Sequence, residues 1–118
     1  MTKAIYRIAE QSGNLGVIGE IELYFEITAE YKGINILIPD DFKRWYPGVL
    51  FGATYWIEHN STPIGLNIEV QKIEHNEVDT NNTIISYLTF HAIENAGIAS
   101  NKGEIIFNKE IKSFVYKK

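Results

Sequence analysis

Hydrophobic and polar residues alternate along several segments of this chain. Apolar side chains stand at every second position within 21–27, 34–38 and 66–70. This period of two is typical of a strand with one buried face. The first two segments flank a turn at 31–33 and are predicted to pair as a hairpin. Shorter strand-like runs lie at 4–9, 104–107 and 111–116.

A first helix is predicted after Pro47, which suits the first turn because its missing N–H has no partner there. Gly48 and Gly52 lie one turn apart and are expected to let this helix approach the sheet closely, although each glycine costs roughly 1 kcal/mol of helix propensity. The apolar residues at helical spacing are Val49, Leu50, Ala53, Trp56 and Ile57.

A second helix is predicted from a longer apolar arc. Asp79 or Thr80 is available as its N-cap and Gly97 as its stop. The arc consists of Ile84, Ile85, Leu88, Ala92 and Ala96.

The order strand, strand, helix, strand, helix, strand predicts an α+β fold. We expect two layers, with two helices on one face of a mainly antiparallel four-stranded sheet in ββαβαβ order. The same pattern also permits a ferredoxin-like split βαβ domain.

Composition indicates one compact domain that spans residues 1–118. The chain is 45% hydrophobic, carries a net charge of −4 and contains no cysteine, which excludes disulfides and thiolate metal sites. It has neither the apolar run of a signal peptide nor the ~18 apolar residues of a membrane span. We therefore expect a cytoplasmic protein without a membrane partner, and the charge disfavours general affinity for nucleic acid.

Three segments, in order along the chain, resemble domain IV of bacterial elongation factor G. EQSGNLGVIGEIELYFE at 10–26 is similar to the glycine-punctuated hairpin that opens that domain. YPGVLFGA at 46–53 resembles the start of its first helix, and GLNIEVQKIEHNEVDTNN at 65–82 resembles its later strand, tip loop and helix start. The resemblance implies a fold shared with the second domain of ribosomal protein S5.

The first of these segments has glycine at every third position, at 13, 16 and 19. It is neither a Walker loop nor a dinucleotide fingerprint, so we expect a hairpin or bulged turn that needs positive φ, and no bound nucleotide or other cofactor. The resemblance implies that this loop belongs to a tip that reaches the ribosomal decoding region. In the family the tip uses polar and basic side chains, whereas here its positions are Leu15, Val17 and Ile18, an exposed apolar tip.

The second tip loop resembles the family at four consecutive positions, 77–80, which match an acidic residue, valine, aspartate and serine. The family's tip histidine aligns with Asn76, and His75 stands one position earlier. The resemblance thus yields a set of candidate tip or partner contacts. They are Ser12, Asn14, Leu15, Val17, Ile18, His75, Asn76, Glu77 and Asp79.

No catalytic or metal site is expected from the sequence. His75, Glu77 and Asp79 would project from one side of an extended segment, but polar hairpin loops are common and no further ligand cluster accompanies them. His59 and His91 are isolated, and no serine or threonine stands in a nucleophile elbow. The sequence therefore favours a protein that is not an enzyme.

Two surfaces remain as candidates. A basic and aromatic cluster at Lys43, Arg44, Trp45 and Tyr46 could contact RNA by charge and stacking, or Trp45 could cap the core, which is the preferred interpretation. The outward side of the second strand carries an acidic stripe, Glu20, Glu22, Tyr24 and Glu26, to which the later strand adds Glu69. This stripe is either a solvated face or a surface for a basic partner.

The resemblance favours a non-catalytic, ribosome-associated accessory protein that would act as a detached domain IV. It would bind the ribosome or RNA but not GTP, because the chain lacks a GTPase motif. The alternative is a protein-binding module, such as an inhibitor or immunity-type partner, with no ribosome contact.

Overall fold

The computed structural model describes residues 1–12, 15–30, 33–60, 64–96, 104–111 and 113–117. A 3₁₀ helix, Asp40–Trp45, leads directly into the first α-helix. The strands and helices are β1 (Thr2–Ser12), β2 (Leu15–Thr28), β3 (Gly33–Leu37), α1 (Tyr46–Glu58), β4 (Gly65–Glu74), α2 (Asn82–Ala96), β5 (Glu104–Asn108) and β6 (Ser113–Lys117).

The main sheet has four strands in the order β1-β2-β4-β3. The β1-β2 and β2-β4 pairs are antiparallel, whereas β3 and β4 are parallel. The predicted α+β class is confirmed, and the sheet is mainly antiparallel. Three strands precede α1, which does not agree with the βαββαβ order of a ferredoxin-like domain.

The predicted hairpin between the segments at 21–27 and 34–38 is wrong. In the structure β4 lies between β2 and β3, and Ile34 and Ile36 of β3 are in register with Leu66 and Ile68 of β4. Parallel neighbours need a long crossover, and α1 provides it. Alternation shows which side of a strand is buried, but it does not show which strand is its neighbour.

The fourth strand of the sheet is also different from the expected one, so the ββαβαβ order needs correction. The segment at 4–9 is part of the eleven-residue strand β1, which pairs with β2 over its full length. The two C-terminal runs form a separate two-stranded sheet, β5-β6. β1 and β2 are close in sequence. Pairing them therefore costs less loop-closure entropy than pairing β2 with a distant C-terminal strand.

The core lies between one face of the sheet and the two helices, which pack against each other. Alternate residues of β2 and β4 point into it, as the period of two predicts. The largest fully buried side chains include Trp56, Phe90, Ile21, Leu23, Leu66, Ile68, Leu88 and Ile93.

Gly48 and Gly52 allow a close approach, but the neighbour is α2 rather than the sheet. A Cβ on Gly48 would lie 2.8 Å from the Ile85 Cβ, and one on Gly52 would lie 3.0 Å from the Thr89 Cβ and collide with the Ser86 carbonyl oxygen. The Ser86 hydroxyl donates to the Gly48 carbonyl at 2.9 Å and so ties the helices together. The inner face of α1 is therefore fixed against α2.

The N-cap of α2 is Asn81, not Asp79 or Thr80. The Asn81 Oδ1 accepts a hydrogen bond from the Ile84 N–H at 2.9 Å, the geometry of a capping side chain. Asp79 and Thr80 contact the β1–β2 hairpin instead. The predicted stop at Gly97 lies outside the described residues.

Candidate functional site: the tip and the α1 shelf

The two loops that the sequence assigned to one tip lie against each other. The Ile18 N–H donates to the Asp79 carbonyl at 3.1 Å, and the Thr80 hydroxyl donates to the Ile18 carbonyl at 2.6 Å. Thr80 is buried although it is polar. Both hydrogen bonds use backbone groups of β2, so the hairpin and the 75–80 loop form one structural unit, which we call the tip.

Gly16 lies close to the Asp79 carboxylate and does not have positive φ. It lies inside β2, and a Cβ there would be 2.5 Å from the Asp79 Oδ2. Gly19 also lies in β2 and packs beside Leu88. Among the described glycines, the positive φ belongs to Gly33. The expected positive-φ turn therefore does not involve Gly16 or Gly19, and residue 13 lies outside the described residues.

The 75–80 loop satisfies its own polar groups. The Asn76 Oδ1 accepts from the N–H groups of Val78 and Asp79 at 2.9 and 3.1 Å. The Thr80 Oγ1 accepts from the Asn76 N–H at 2.8 Å. These are turn-forming side-chain bonds. Asn76, which the resemblance aligns with a tip histidine, thus has a structural role in this loop.

The basic part of the predicted cluster is joined to the same loop. The Arg44 guanidinium donates to both carboxylate oxygens of Glu77, at 3.0 and 3.3 Å, and the His75 Nε2 lies 2.9 Å from the same carboxylate. Hydrogen bonds from His75 and then Arg44 hold the pKa of Glu77 below its usual 4.5. Lys43 is paired with Asp40 at 2.8 Å. Both cations of the cluster are therefore partnered within the chain.

Trp45 is buried and caps the core, as the preferred interpretation predicted; its side chain is 3% exposed. The Arg44 guanidinium carbon lies 4.4 Å from the centre of its ring, and the His75 ring is 5.4 Å away on a tilted plane. Tyr46, the last member of the cluster, is exposed. Trp45 thus offers no open ring surface for stacking with a base.

The expected exposed apolar tip is wrong at Val17, which is buried, and Ile18 is half-buried. Residue 14 and the side chains of Ser12 and Leu15 lie outside the description. The exposed apolar residue of the tip is Val78, at 89% exposure. It belongs to the second loop, and the sequence match at 77–80 included it, but the set of candidate contacts did not.

His75, Glu77 and Asp79 do not point to one common site. Glu77 turns toward His75 and Arg44, whereas the Asp79 carboxylate lies against Gly16. Across the part of the chain that the structure describes, no group of three or more His, Asp and Glu side chains is arranged to hold a metal ion.

The outer face of α1 forms a second surface, which we call the α1 shelf and define as Tyr46, Pro47, Leu50 and Phe51 with Tyr116 of β6. Phe51 is 53% exposed, and its ring meets the Tyr116 ring edge-on at 5.4 Å. A groove of about 330 Å³ lies beside them, between the first turns of α1 and α2. Burial raises the pKa of Tyr116.

Leu50 was predicted to belong to the buried apolar arc of α1 but is exposed, and the pattern gave no signal for Phe51. The signal that identifies the shelf is the absence of charge: Glu58 is the one charged residue in α1. An amphipathic surface helix has a polar outer face, and this helix has none over its first two turns.

No protein-family model and no curated protein matches the sequence. Among solved structures, the chain is similar to a protein of Thermus thermophilus known from its crystal structure, with a TM-score of 0.67 and 17% sequence identity. The matched part of the Thermus chain has the same fold as this chain. The match covers 80% of this chain but 15% of the Thermus chain. This chain therefore corresponds to a small part of that protein's length.

The acidic stripe lies on the sheet face opposite the helices, with Glu69 directly beside Tyr24. Basic residues interleave with it: the Lys3 Nζ lies 3.6 Å from Glu22, and Arg7 is in register with Glu20. Further along, Lys72 pairs with Glu74 at 2.7 Å. The stripe predicted from two strands is therefore part of a face of mixed charge once all of the strands are in place.

The isolated histidines have structural contacts. The His59 Nδ1 lies 2.8 Å from the Tyr55 carbonyl, and the His91 Nε2 lies 2.6 Å from the Ile105 carbonyl. Glu94, one turn after His91, accepts a hydrogen bond from the Trp56 indole at 2.8 Å. Within the described residues, no helix combines the length and the apolar content needed to cross a membrane.

Proposed function

We propose that this chain is a protein-binding domain that engages its partner through the α1 shelf. One observation carries the proposal: of the five exposed residues of α1, four are apolar or aromatic, and Glu58 is the fifth. Aromatic residues are enriched in the cores of protein interfaces and dominate their binding energy. A contiguous exposed apolar patch beside a groove is the usual mark of such a site.

The electrostatics support a protein partner over RNA. Contacts to phosphate need available cations, which displace counterions when they bind. Lys43 and Arg44 are both engaged with carboxylates of this chain, and the net charge is −4. A phosphate would have to compete with these carboxylates for both cations.

A ribosome-associated role, as in a detached domain IV, is the second candidate. It is favoured by the contact between the two loops that the resemblance assigns to the tip. On this alternative, the exposed Val78 and its neighbours would meet the ribosome, and the shelf would not contribute. The two candidates therefore place the contact on different residues.

Sedimentation of tagged protein from cell lysate through a sucrose gradient, at low and moderate salt, distinguishes them. We expect the protein to travel with one stoichiometric protein companion and not with ribosomal particles. Phe51→Asp should weaken that contact at least about 30-fold, the size of a hot-spot loss of ~2 kcal/mol.

Two matched variants complete the design. Val78→Asp places the same negative charge on the tip. Ile111→Asp places that charge at a turn residue that is 62% exposed. Both variants should still co-sediment with the companion protein. The protein could instead migrate with ribosomal particles. If moderate salt and Val78→Asp abolished that migration and Phe51→Asp did not, the result would establish the second candidate and contradict the first.

A further inference from the structure

The main sheet ends in β3, an edge strand whose sequence, GINIL, contains no charged residue. An edge strand presents N–H and C=O groups that can pair with another chain, and proteins usually protect such edges with charged side chains. β1, the outer strand at the opposite end of the sheet, has three charged residues, Lys3, Arg7 and Glu10. The β3 edge lacks this protection.

The outer edge of β3 is open. One edge pairs with β4, and the described residues make no further backbone hydrogen bond to the strand. Ile34 and Ile36 are half-buried, whereas Leu66 and Ile68, their neighbours in β4, are 0% and 1% exposed. The apolar core is therefore incompletely covered at this edge, because no strand lies beyond the two isoleucines.

The sequence of β3 is self-complementary about Asn35. When two copies of the strand pair antiparallel around this residue, Ile34 of each copy lies opposite Ile36 of the other, and Leu37 lies opposite Gly33. Asn35 then lies opposite the same residue of the second copy. A two-fold interface uses the same patch on both subunits and needs this kind of symmetry. The pattern therefore favours a second copy of this chain over an unrelated strand.

Each of these pairs suits a contact between strands. Ile34 and Ile36 would cover each other, and paired β-branched side chains stabilise a sheet. Leu37 is 63% exposed, and a Cβ on Gly33 would meet nothing within 4 Å, so the glycine leaves room for the leucine. The exposed Asn35 carries an amide that both donates and accepts hydrogen bonds. We propose that β3 pairs with β3 of a second copy, which joins the two main sheets into one continuous sheet.

The proposed pairing closes on itself. Pro39 has no N–H and Asp40 begins the 3₁₀ helix, so the paired segment ends shortly after β3. Once both β3 edges are used, the outer strands of the joined sheet are the two copies of β1, whose charges oppose further edge pairing. The product is a two-fold dimer rather than a fibre. Because a five-residue strand forms a small interface, the dimer should dissociate at micromolar concentrations.

Charge substitution at the two-fold centre tests the proposal. Sedimentation equilibrium of the full-length chain, from micromolar to sub-millimolar concentration, should show a monomer–dimer equilibrium. Asn35→Lys and Asn35→Glu each place like charges directly opposite each other, so each variant alone should dimerise at least about ten-fold more weakly. An equimolar mixture of the two variants should regain the dimer, because opposite charges then face each other.

Two controls separate this interface from the proposed function. β3 contributes no residue to the α1 shelf, so Phe51→Asp should dimerise as the parent chain does. Hydrogen exchange of the β3 amides should slow at least about ten-fold between the monomeric and dimeric concentrations, because paired amides are protected. The β1 amides should exchange at the same rate at both concentrations.

A chain that stays monomeric at the highest concentration would overturn the proposal. A dimer that survives Asn35→Lys, or a mixture of the two charge variants that fails to associate, would also overturn it, because the register centred on Asn35 requires both results. A dimer that Phe51→Asp abolishes and Asn35→Lys does not would place self-association on the shelf. That result would contradict the β3 interface and leave the proposed protein-binding role of the shelf standing.

Discussion

The tip and the α1 shelf differ in how far their side chains are used by the fold. At the tip, the Thr80 hydroxyl, the Asn76 side chain and the Arg44 guanidinium all have partners within the chain. On the shelf, the exposed aromatic and aliphatic side chains of α1 meet solvent. Polar groups already satisfied by the chain have little to gain from a partner, whereas exposed apolar area gains about 25 cal/mol per Å² on burial.

This difference teaches that a loop resembling a known contact site need not be the surface with interaction energy to offer. The tip exposes one apolar side chain, Val78, and its polar groups hold two loops together. The shelf is apolar, and only its inner side is needed to attach α1 to α2.

Gly52→Ala should show how closely the inner side of α1 is fixed. The new Cβ would collide with the Ser86 carbonyl, a backbone atom that cannot rotate away. We expect a loss toward the upper part of the ~1–3 kcal/mol typical of overpacking. Leu50→Ala, two residues earlier on the shelf, should change the free energy of unfolding by less than about 0.5 kcal/mol. Urea unfolding of both variants measures the difference, and equal losses would show that the shelf is part of the core.

Thr80→Val tests whether the tip is held by its buried hydroxyl. The substitution keeps the shape but leaves the Ile18 carbonyl and the Asn76 N–H without their bonds to that hydroxyl. An unsatisfied buried polar group costs about 1–3 kcal/mol, so we expect a loss of ~2 kcal/mol. Thr80→Ser retains the hydroxyl and should recover most of it. Unchanged stability in the valine variant would mean that the two loops are not joined through this side chain.

The tip also shows what sequence could and could not predict. Period-two alternation located the buried faces of β2 and β4 correctly, because it depends on a strand's own geometry. It placed β3 beside the wrong neighbour, because the alternation at Ile34 and Ile36 carries no information about which strand lies alongside. Trp45 was correctly predicted to cap the core, but its neighbour Arg44 pairs with Glu77, 33 residues away. Spacing along the chain carries no signal for such a contact.

Asn81→Ala tests the corrected start of α2, at the boundary between the tip and the helix. Loss of an N-cap side chain costs typically ~1 kcal/mol, and the Ile84 N–H would lose its acceptor. Asp79→Asn, which preserves shape at the residue first predicted as a cap, should cost no more than about 0.5 kcal/mol. Thermal unfolding of both variants gives the comparison. The reverse ranking would restore Asp79 as the cap.

The smallest effect concerns the pH dependence of the tip. Because hydrogen bonds from His75 and Arg44 lower the pKa of Glu77 in the folded chain, its contribution to stability is present above the ordinary value of 4.5 and is lost as pH falls through the lower folded value. NMR titration of the Glu77 carboxyl should give a midpoint below 4.5, and His75→Ala and Arg44→Ala should each raise it. Glu74, whose pKa is lowered by Lys72, is the control and should keep its midpoint in both variants. If neither substitution moved the Glu77 midpoint, Arg44 would not be engaged with this carboxylate in solution. Its guanidinium would then be available to phosphate, and the electrostatic argument against an RNA partner would lose one of its two ion pairs.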